Sequence, residues 1–157
     1  MIQISVPGRA KTLDLKYLLL DLNGTLTVGG VLPPGVKERV ELLKNKLDVY
    51  LLTADTFGSG KEVAEELGIE IFKVNTIKGA DDKKDFLISL EAGKTIAIGN
   101  GYNDVLMLEN AGLSIVIIGG EGCCVQALMK ADIAVNNIND ALDLLINPLR
   151  LVATLRA

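Results

Sequence analysis

The sequence predicts an α/β fold in which a doubly wound, Rossmann-like and mostly parallel sheet is flanked by helices. Short apolar segments typical of strands alternate along the chain with amphipathic segments typical of helices, and the connections are short. Hydrophobic residues make up 49% of the 157 residues and aromatic residues only 4%, so the core must be aliphatic, as in parallel sheets covered on both faces. This length suits one hydrophobic core, and we expect a single domain over residues 1–157.

The elements follow from local patterns in chain order. Residues 1–15 alternate apolar and polar positions on both sides of a Pro-Gly turn, which predicts an extra hairpin at the sheet edge. A strand is predicted over residues 17–22, and after Pro34 an apolar face recurring every three to four positions predicts a helix to about Lys46. Strands are then expected near 48–53, 69–74, 95–98, 114–118 and 133–135, and helices near 60–67, 81–90, 106–111, 125–129, 141–146 and 149–157.

Composition excludes several classes of function. The net charge is −4 and the charges are interspersed, without the basic cluster or aromatic platform that a nucleic-acid partner requires. No apolar run approaches the ~20 residues of a membrane span, and no basic flank with a long apolar segment begins the chain. We therefore expect a cytoplasmic protein with no nucleic-acid or membrane partner.

Cysteine and histidine usage narrows the chemistry further. The two cysteines, Cys123 and Cys124, are adjacent, so no disulfide framework is predicted. The chain contains no histidine, which excludes a Ser-His-Asp triad, a His-Cys pair and the common zinc sites. Any metal should be a hard cation held by oxygen atoms.

The stretch LLLDLNGTLT, residues 18–27, combines a buried-strand pattern with a polar turn. Its apolar run ends at Asp21 and is followed by small and hydroxyl residues, which places Asp21 in a loop at the carboxyl edge of the sheet. Open α/β sheets bind their ligands at that edge. A carboxylate there can bind a cation, while the turn presents N–H groups to an anion. Phosphoryl chemistry is the function that this pattern favours.

Three further polar segments are expected to reach the same edge. Thr53-Ala54-Asp55 ends the second central strand, where a hydroxyl and a backbone N–H can hold phosphoryl oxygens. Lys83 and Lys84 open a helix, with Lys78 just ahead of it, and a lysine there could offset the charge of a carboxylate and a phosphate. The loop GNGYND, residues 99–104, follows another strand, and its oxygen donors suit Mg²⁺.

In this order, the four segments resemble the motifs of the haloacid dehalogenase superfamily, and within it the soluble P-type ATPase-like phosphatases. The first motif of the superfamily is commonly Asp-x-Asp-Gly-Thr-Leu-Thr, and the P-type branch has Asp-Lys-Thr-Gly-Thr-Leu-Thr. The resemblance implies a phosphatase of phosphoric monoesters or acyl phosphates in which Asp21 is the nucleophile and forms an aspartyl-phosphate. It assigns the other catalytic positions to Asn23, Thr53 and Lys83, and phosphate binding to Gly24, Thr53, Ala54 and Lys83.

The resemblance also implies a Mg²⁺ site held by Asp21, the backbone carbonyl of Asn23, Asn100 and Asp104, with Asn103 orienting the loop. Asn23 stands where soluble phosphatases usually have the second Asp, a general acid and base, and Asn100 where the superfamily usually has an Asp on the metal. An amide cannot exchange a proton near neutral pH and carries no charge. The resemblance therefore predicts slow hydrolysis of the aspartyl-phosphate and weaker binding of the metal.

Residues 27–34 are the only room for a capping insertion and hold at most a small hairpin, so a capless or minimal-cap fold is expected. The site should then be open or covered by another subunit, because capless members of the superfamily often form homo-oligomers. The expected partner is a small phosphorylated substrate or a phosphoprotein.

Two other functions use similar residues. A non-catalytic or phospho-switch module on the same fold would bind an anion, or be phosphorylated on Asp21, and would signal through a partner. A response-regulator receiver domain has its acidic pair after the first strand and its phosphorylated Asp after the third, which is not the order found here. The switch module is the alternative that the sequence leaves open.

Overall fold

The computed structural model describes residues 1–55 and 58–157 and has a six-stranded sheet with helices on both faces. The strands are β1 (Ile2–Val6), β2 (Lys11–Leu15), β3 (Tyr17–Asp21), β4 (Asp48–Thr53), β5 (Glu70–Lys73), β6 (Thr95–Gly99), β7 (Leu113–Ile117) and β8 (Ile133–Val135). The helices are α1 (Val36–Lys44), α2 (Ser59–Leu67), α3 (Gly79–Ser89), α4 (Val105–Asn110), α5 (Val125–Lys130), α6 (Ile138–Ile146) and α7 (Pro148–Leu155).

The strand order of the large sheet is β5-β4-β3-β6-β7-β8, and every neighbouring pair is parallel. The chain first builds outward from β3 through β4 to β5, and then crosses to the other side of β3 to add β6, β7 and β8. The order thus reverses between β3 and β6, which is where doubly wound sheets form a ligand crevice. The predicted parallel α/β fold is confirmed.

Strand β3 is central because both of its faces are apolar. Leu18 and Leu20 pack in the core cluster beneath α1, α2, α6 and α7, whereas Leu19 packs in the cluster beneath α3, α4 and α5. Successive side chains of a strand point to opposite faces, so a run of leucines can fill two cores at once. This burial fixes the register that brings Asp21 to the carboxyl end of the strand.

Helix α3 carries a lysine into the core as well as apolar residues. Lys83 and Leu87 are four residues apart and therefore lie on the same face of the helix, and both are fully buried. Lys84 is only partly buried. The helix thus presents one of its two adjacent lysines toward the sheet.

The N-terminal hairpin, β1 with β2, is a separate two-stranded antiparallel sheet and not the predicted addition to the sheet edge. Lys16 alone separates β2 from the central strand β3, and the edges of the large sheet are β5 and β8. A hairpin joined this closely to a central strand cannot reach an edge. Its apolar residues, including Ile4 and Leu15, are instead buried in the cluster that contains α7.

Some helix boundaries also differ from those expected. Helix α6 begins at Ile138, three residues before the expected start, because the side chain of Asn137 accepts a hydrogen bond from the Asp140 N–H and caps the helix. Helix α7 begins at Pro148, whose ring suits the first position of a helix.

The short connection after the first motif contains one antiparallel bridge, between Val28 and Val31. The Gly29 N–H donates to Glu121 Oε2 at 3.1 Å, which ties this small turn to the loop after β7. Among residues 1–55 and 58–157, no helix has the length and apolar character to cross a membrane.

Candidate active site

Three neighbouring strands end at one polar cleft. Asp21 ends β3, Thr53 ends β4 and Asn100 directly follows β6, so their side chains meet at the carboxyl edge of the sheet and around the point where the strand order reverses. The cleft has a volume of about 290 Å³. It is lined by Asp21, Asn23, Thr53, Ala54, Asp55, Lys83, Asn100, Gly101 and Asn103.

A buried cluster of three charges forms the floor of the cleft. Lys83 Nζ donates at 2.7 Å to Asp21 Oδ1 and at 2.7 Å to Asp104 Oδ1. Lys83 and Asp104 are fully buried, and Asp21 is buried except for a small exposed part at the cleft. The resemblance favours Lys83 over Lys84, because apolar residues follow Lys83 three, four and seven places on, as in the third motif of the superfamily. The structure places Lys83 in the cluster.

The cluster carries one uncompensated negative charge, since it holds two carboxylates and one ammonium group. Burial, followed by the charge of Asp104, raises the pKa of Asp21 from 3.8 to about 6, although Lys83 and Thr25 oppose this change. Burial disfavours the charged form of Lys83, but the two carboxylates together outweigh it, so the pKa of Lys83 is raised and the group stays charged. A cation beside Asp21 would relieve the imbalance.

Thr25 and Asn100 add oxygen atoms next to Asp21. Thr25 Oγ1 lies 3.1 Å from Asp21 Oδ2 and 3.1 Å from Asn100 Oδ1, but its single proton can serve only one of them. Asn100 Nδ2 donates to the Gly122 carbonyl at 3.2 Å, which turns Asn100 Oδ1 toward Thr25. One acceptor oxygen is therefore always left without the Thr25 proton.

Asp104 is held differently from Asp21. Its Oδ1 accepts from Lys83, and its Oδ2 accepts from the N–H groups of Asn100 and Gly101, both at 2.9 Å. It does not line the cleft. Asp104 thus fixes Lys83 and the loop after β6, and its oxygens are already engaged by protein donors.

The segment after β4 provides the wall of the cleft opposite Asn100. Thr53 Oγ1 accepts from the Asp55 N–H at 3.1 Å, which folds the end of the strand into a tight turn. Asp55 Oδ2 in turn accepts from Ser59 Oγ at 3.0 Å. The residues predicted from the Thr53-Ala54-Asp55 segment therefore line the same cleft as Asp21.

The sequence interpretation does not single out Thr25 or the loop 119–122 as parts of the site. Thr25 belongs to the first motif and lies four residues after Asp21, so its position could have indicated the contact. The loop could not have been found this way, because Gly122 contributes only a backbone carbonyl.

The oxygen-rich character of the site determines which metals fit it. The described residues, 1–55 and 58–157, contain no group of three His, Cys, Asp or Glu side chains able to hold a metal ion. A cation here would use the carboxylate of Asp21 with the amide oxygen of Asn100 and backbone carbonyls. Such a set, together with the residual negative charge, fits a hard cation that keeps several water ligands, as Mg²⁺ does.

We expect Gly24→Ala to destabilise the protein by about 1–3 kcal/mol, because it distorts the loop against Asn100. Gly24 has φ +78°, and a Cβ atom there would lie 2.3 Å from Asn100 Nδ2. The matched control is Gly30→Ala, where φ is also +78° but no atom lies within 4 Å. Urea unfolding should show the larger loss for Gly24→Ala, and equal losses would contradict the predicted clash.

Comparisons with known proteins agree with this fold, although no family model matches the sequence. The uncharacterized protein MJ0073 of Methanocaldococcus jannaschii is 57% identical over 63 residues, which are 40% of this chain and 68% of that protein. A soluble P-type ATPase-like phosphatase of the same organism is 29% identical over 123 residues. That match includes 76% of this chain but only 45% of the phosphatase.

A solved structure extends the comparison to nearly the whole chain. The 3-deoxy-D-manno-octulosonate 8-phosphate phosphatase from Moraxella catarrhalis, in complex with magnesium, phosphate and KDO, matches with a TM-score of 0.70 at 18% identity. The match covers 91% of this chain and 94% of that one. At this identity the likeness establishes the fold.

The chain is thus an α/β protein with an aspartate at the end of its central strand, a buried lysine beside it, and the fold of a solved phosphatase. The predicted resemblance to the haloacid dehalogenase superfamily, and within it to a soluble P-type ATPase-like phosphatase, is confirmed.

Proposed function

We propose that this protein is a Mg²⁺-dependent phosphohydrolase that forms an aspartyl-phosphate on Asp21. The observation that carries the proposal is the contact between the buried Asp21 and Lys83 at the floor of an open polar cleft. A buried, ionised carboxylate is costly, and proteins retain such groups mainly where chemistry uses them.

In this proposal each residue acts through a contact that it already makes or can make in the cleft. Lys83 holds Asp21 Oδ1, so we assign the attack on phosphorus to Oδ2, which lies 3.1 Å from Thr25 Oγ1. Lys83 keeps Asp21 ionised and offsets charge on the phosphoryl group. Thr53 and the backbone of Ala54 and Gly24 contact the phosphoryl oxygens. Asp104 positions Lys83 and does not contact the substrate.

Mg²⁺ fits the oxygen atoms of Asp21 and Asn100, with the backbone carbonyl of Asn23. When bound, the metal would neutralise charge on the transferred phosphoryl group and screen it from Asp21. The occupied oxygens of Asp104 favour a supporting role, through Lys83 or a metal-bound water, over direct contact with the ion.

The substrate is expected to be a small phosphorylated compound. The cleft volume of about 290 Å³ admits a phosphate and a modest leaving group, and the small turn around Val28 and Val31 is a minimal cap within the described part of the chain. A phosphoprotein is the alternative substrate, because an open cleft can accept a phosphorylated side chain. A neighbouring subunit of a homo-oligomer could complete the cover of the cleft.

The test is phosphate release from acetyl phosphate and para-nitrophenyl phosphate by the purified protein, with and without Mg²⁺. Asp21→Asn is the matched control, since it keeps the shape of the side chain but removes the nucleophile. We expect metal-dependent turnover that is absent in this variant.

A second function, the phospho-switch module, is favoured by the amide at position 23. Asn23 lines the cleft in the place where an acid would be expected to activate water. Trapping of labelled acetyl phosphate separates the two functions: a phosphoenzyme that forms but persists for hours indicates a switch. A phosphoenzyme that forms and hydrolyses within minutes indicates a phosphatase.

A further inference from the structure

The cleft contains few groups that can exchange a proton near neutral pH. Asn23, Asn100 and Asn103 are amides, Thr53 is an alcohol, and Lys83 is a charged ammonium group locked between two carboxylates. The chain has no histidine. Apart from the nucleophile Asp21, the one carboxylate among the described residues that line the cleft is Asp55.

We propose that Asp55 is the general acid and base of this site, in place of the acid that Asn23 cannot supply. This inference rests on the proposed phosphohydrolase function. It assigns the proton transfers to the turn that follows β4, and not to the turn that follows the nucleophile at the end of β3.

The contacts of Asp55 suit this role. Its N–H donates to Thr53 Oγ1 at 3.1 Å, so the residue is held beside the strand end expected to hold phosphoryl oxygens. Ser59 Oγ donates to Oδ2 at 3.0 Å. Within residues 1–55 and 58–157, Oδ1 accepts no hydrogen bond, which leaves one oxygen to meet a leaving group or a water molecule.

The backbone of Asp55 is also held in place. Gly60 lies in the first turn of α2, where a Cβ atom would approach to 1.8 Å from the Asp55 carbonyl oxygen. A side chain at position 60 would therefore displace Asp55. The close packing and the Ser59 hydroxyl together position the carboxyl group just before the amino end of α2.

Asp55 alone accounts for the proton transfers in both half-reactions. In the first, Asp21 Oδ2 bonds to phosphorus, the bond from phosphorus to the leaving oxygen breaks, and the Asp55 carboxyl proton passes to that oxygen. In the second, a water oxygen bonds to phosphorus, the Asp55 carboxylate takes a proton from the water, and the bond from phosphorus to Asp21 breaks. The products are an alcohol and phosphate, and both aspartates return to their starting states.

Asp55→Asn tests the inference with para-nitrophenyl phosphate in the presence of Mg²⁺. The weakly basic para-nitrophenolate leaves without help from an acid, so the first half-reaction should proceed, whereas the second should slow by about 10²–10⁴-fold. We expect a burst of para-nitrophenol close to one equivalent per protein, followed by slow turnover, with phosphate retained on Asp21. Glu62→Gln, an exposed acid-to-amide change in the following helix α2, should leave turnover unchanged.

Rescue distinguishes a catalytic from a merely structural role. In Asp55→Ala, added formate should restore part of the turnover, because a small carboxylic acid can occupy the space of the missing side chain. Turnover of Asp55→Asn equal to that of the unmodified protein would overturn the inference alone. Absence of any phosphoenzyme or turnover in the unmodified protein would overturn the proposed function, and this inference with it.

Discussion

Lys83→Met is expected to destabilise the protein by about 3–5 kcal/mol at neutral pH. The substitution keeps most of the side-chain volume but leaves Asp21 and Asp104 buried together without the ammonium group that both contact at 2.7 Å. Removing one charged group from a buried ionic cluster is costly because the remaining charges are left without an opposite charge and without access to water.

The pH dependence of the stability loss in Lys83→Met identifies the cause of that loss. Lys83 lowers the pKa of Asp21, so its removal should raise that pKa above its present value of about 6. A carboxyl group with a raised pKa in the folded state costs stability above that pKa, and the cost disappears as the pH falls and the group is protonated. The deficit of Lys83→Met should therefore be greatest above pH 7 and should shrink toward pH 5.

Urea unfolding at several pH values measures this deficit, and Lys84→Met is the control. Lys84 is the next residue of α3 and is partly exposed, so its replacement should change stability by less than about 0.5 kcal/mol at any of these pH values. A similar loss in both variants would mean that the cluster contributes nothing special to the fold.

Asp21→Asn is expected to abolish turnover, by at least about 10³-fold, and at the same time to stabilise the protein. The amide removes the nucleophile, and it also removes the one uncompensated negative charge of the buried cluster while Lys83 keeps its contact with Asp104. Loss of activity with gain of stability is typical of a group that is retained for chemistry and not for folding.

The size of the stability gain in Asp21→Asn, and the pH range over which it appears, follow from the pKa of Asp21. The pKa rises from 3.8 to about 6 on folding, and one pKa unit corresponds to about 1.4 kcal/mol, so the gain is at most about 3 kcal/mol. Because the folded state binds the proton more tightly, the cost of the carboxylate develops as the pH rises from about 4 through about 6. The advantage of Asp21→Asn should thus be full at pH 7.5 and absent near pH 4.

Thermal or urea unfolding of the two proteins at these two pH values checks the prediction. The measurement near pH 4 is the internal control, because the Asp21 carboxyl group is then protonated in the folded protein and is uncharged like the amide that replaces it. A variant that is less stable than the unmodified protein at pH 7.5 would show that the Asp21 carboxylate stabilises the fold through its contact with Lys83, which contradicts the prediction.

Most of the candidate site could be predicted from the sequence because it lies at strand ends. Asp21, Thr53 and Asn100 each follow an apolar run, and parallel strands bring their carboxyl ends to one edge whatever the details of packing. The third motif of the resembled superfamily, a lysine followed by apolar residues three, four and seven places on, favours Lys83 over Lys84. Each of these patterns is local in the sequence and predicts where its side chain lies in the fold.

The amino-acid sequence alone specifies the class of fold, the order of the polar segments and the presence of amides at positions 23 and 100. Two further features required the folded structure: the N-terminal hairpin stands apart from the large sheet, and Asp104 accepts a hydrogen bond from Lys83. These features depend on contacts between segments distant in the chain, whose distances and directions are set by packing. The sequence pattern indicates which groups are able to form hydrogen bonds and ion pairs, whereas the packing of the folded chain decides which of them come into contact.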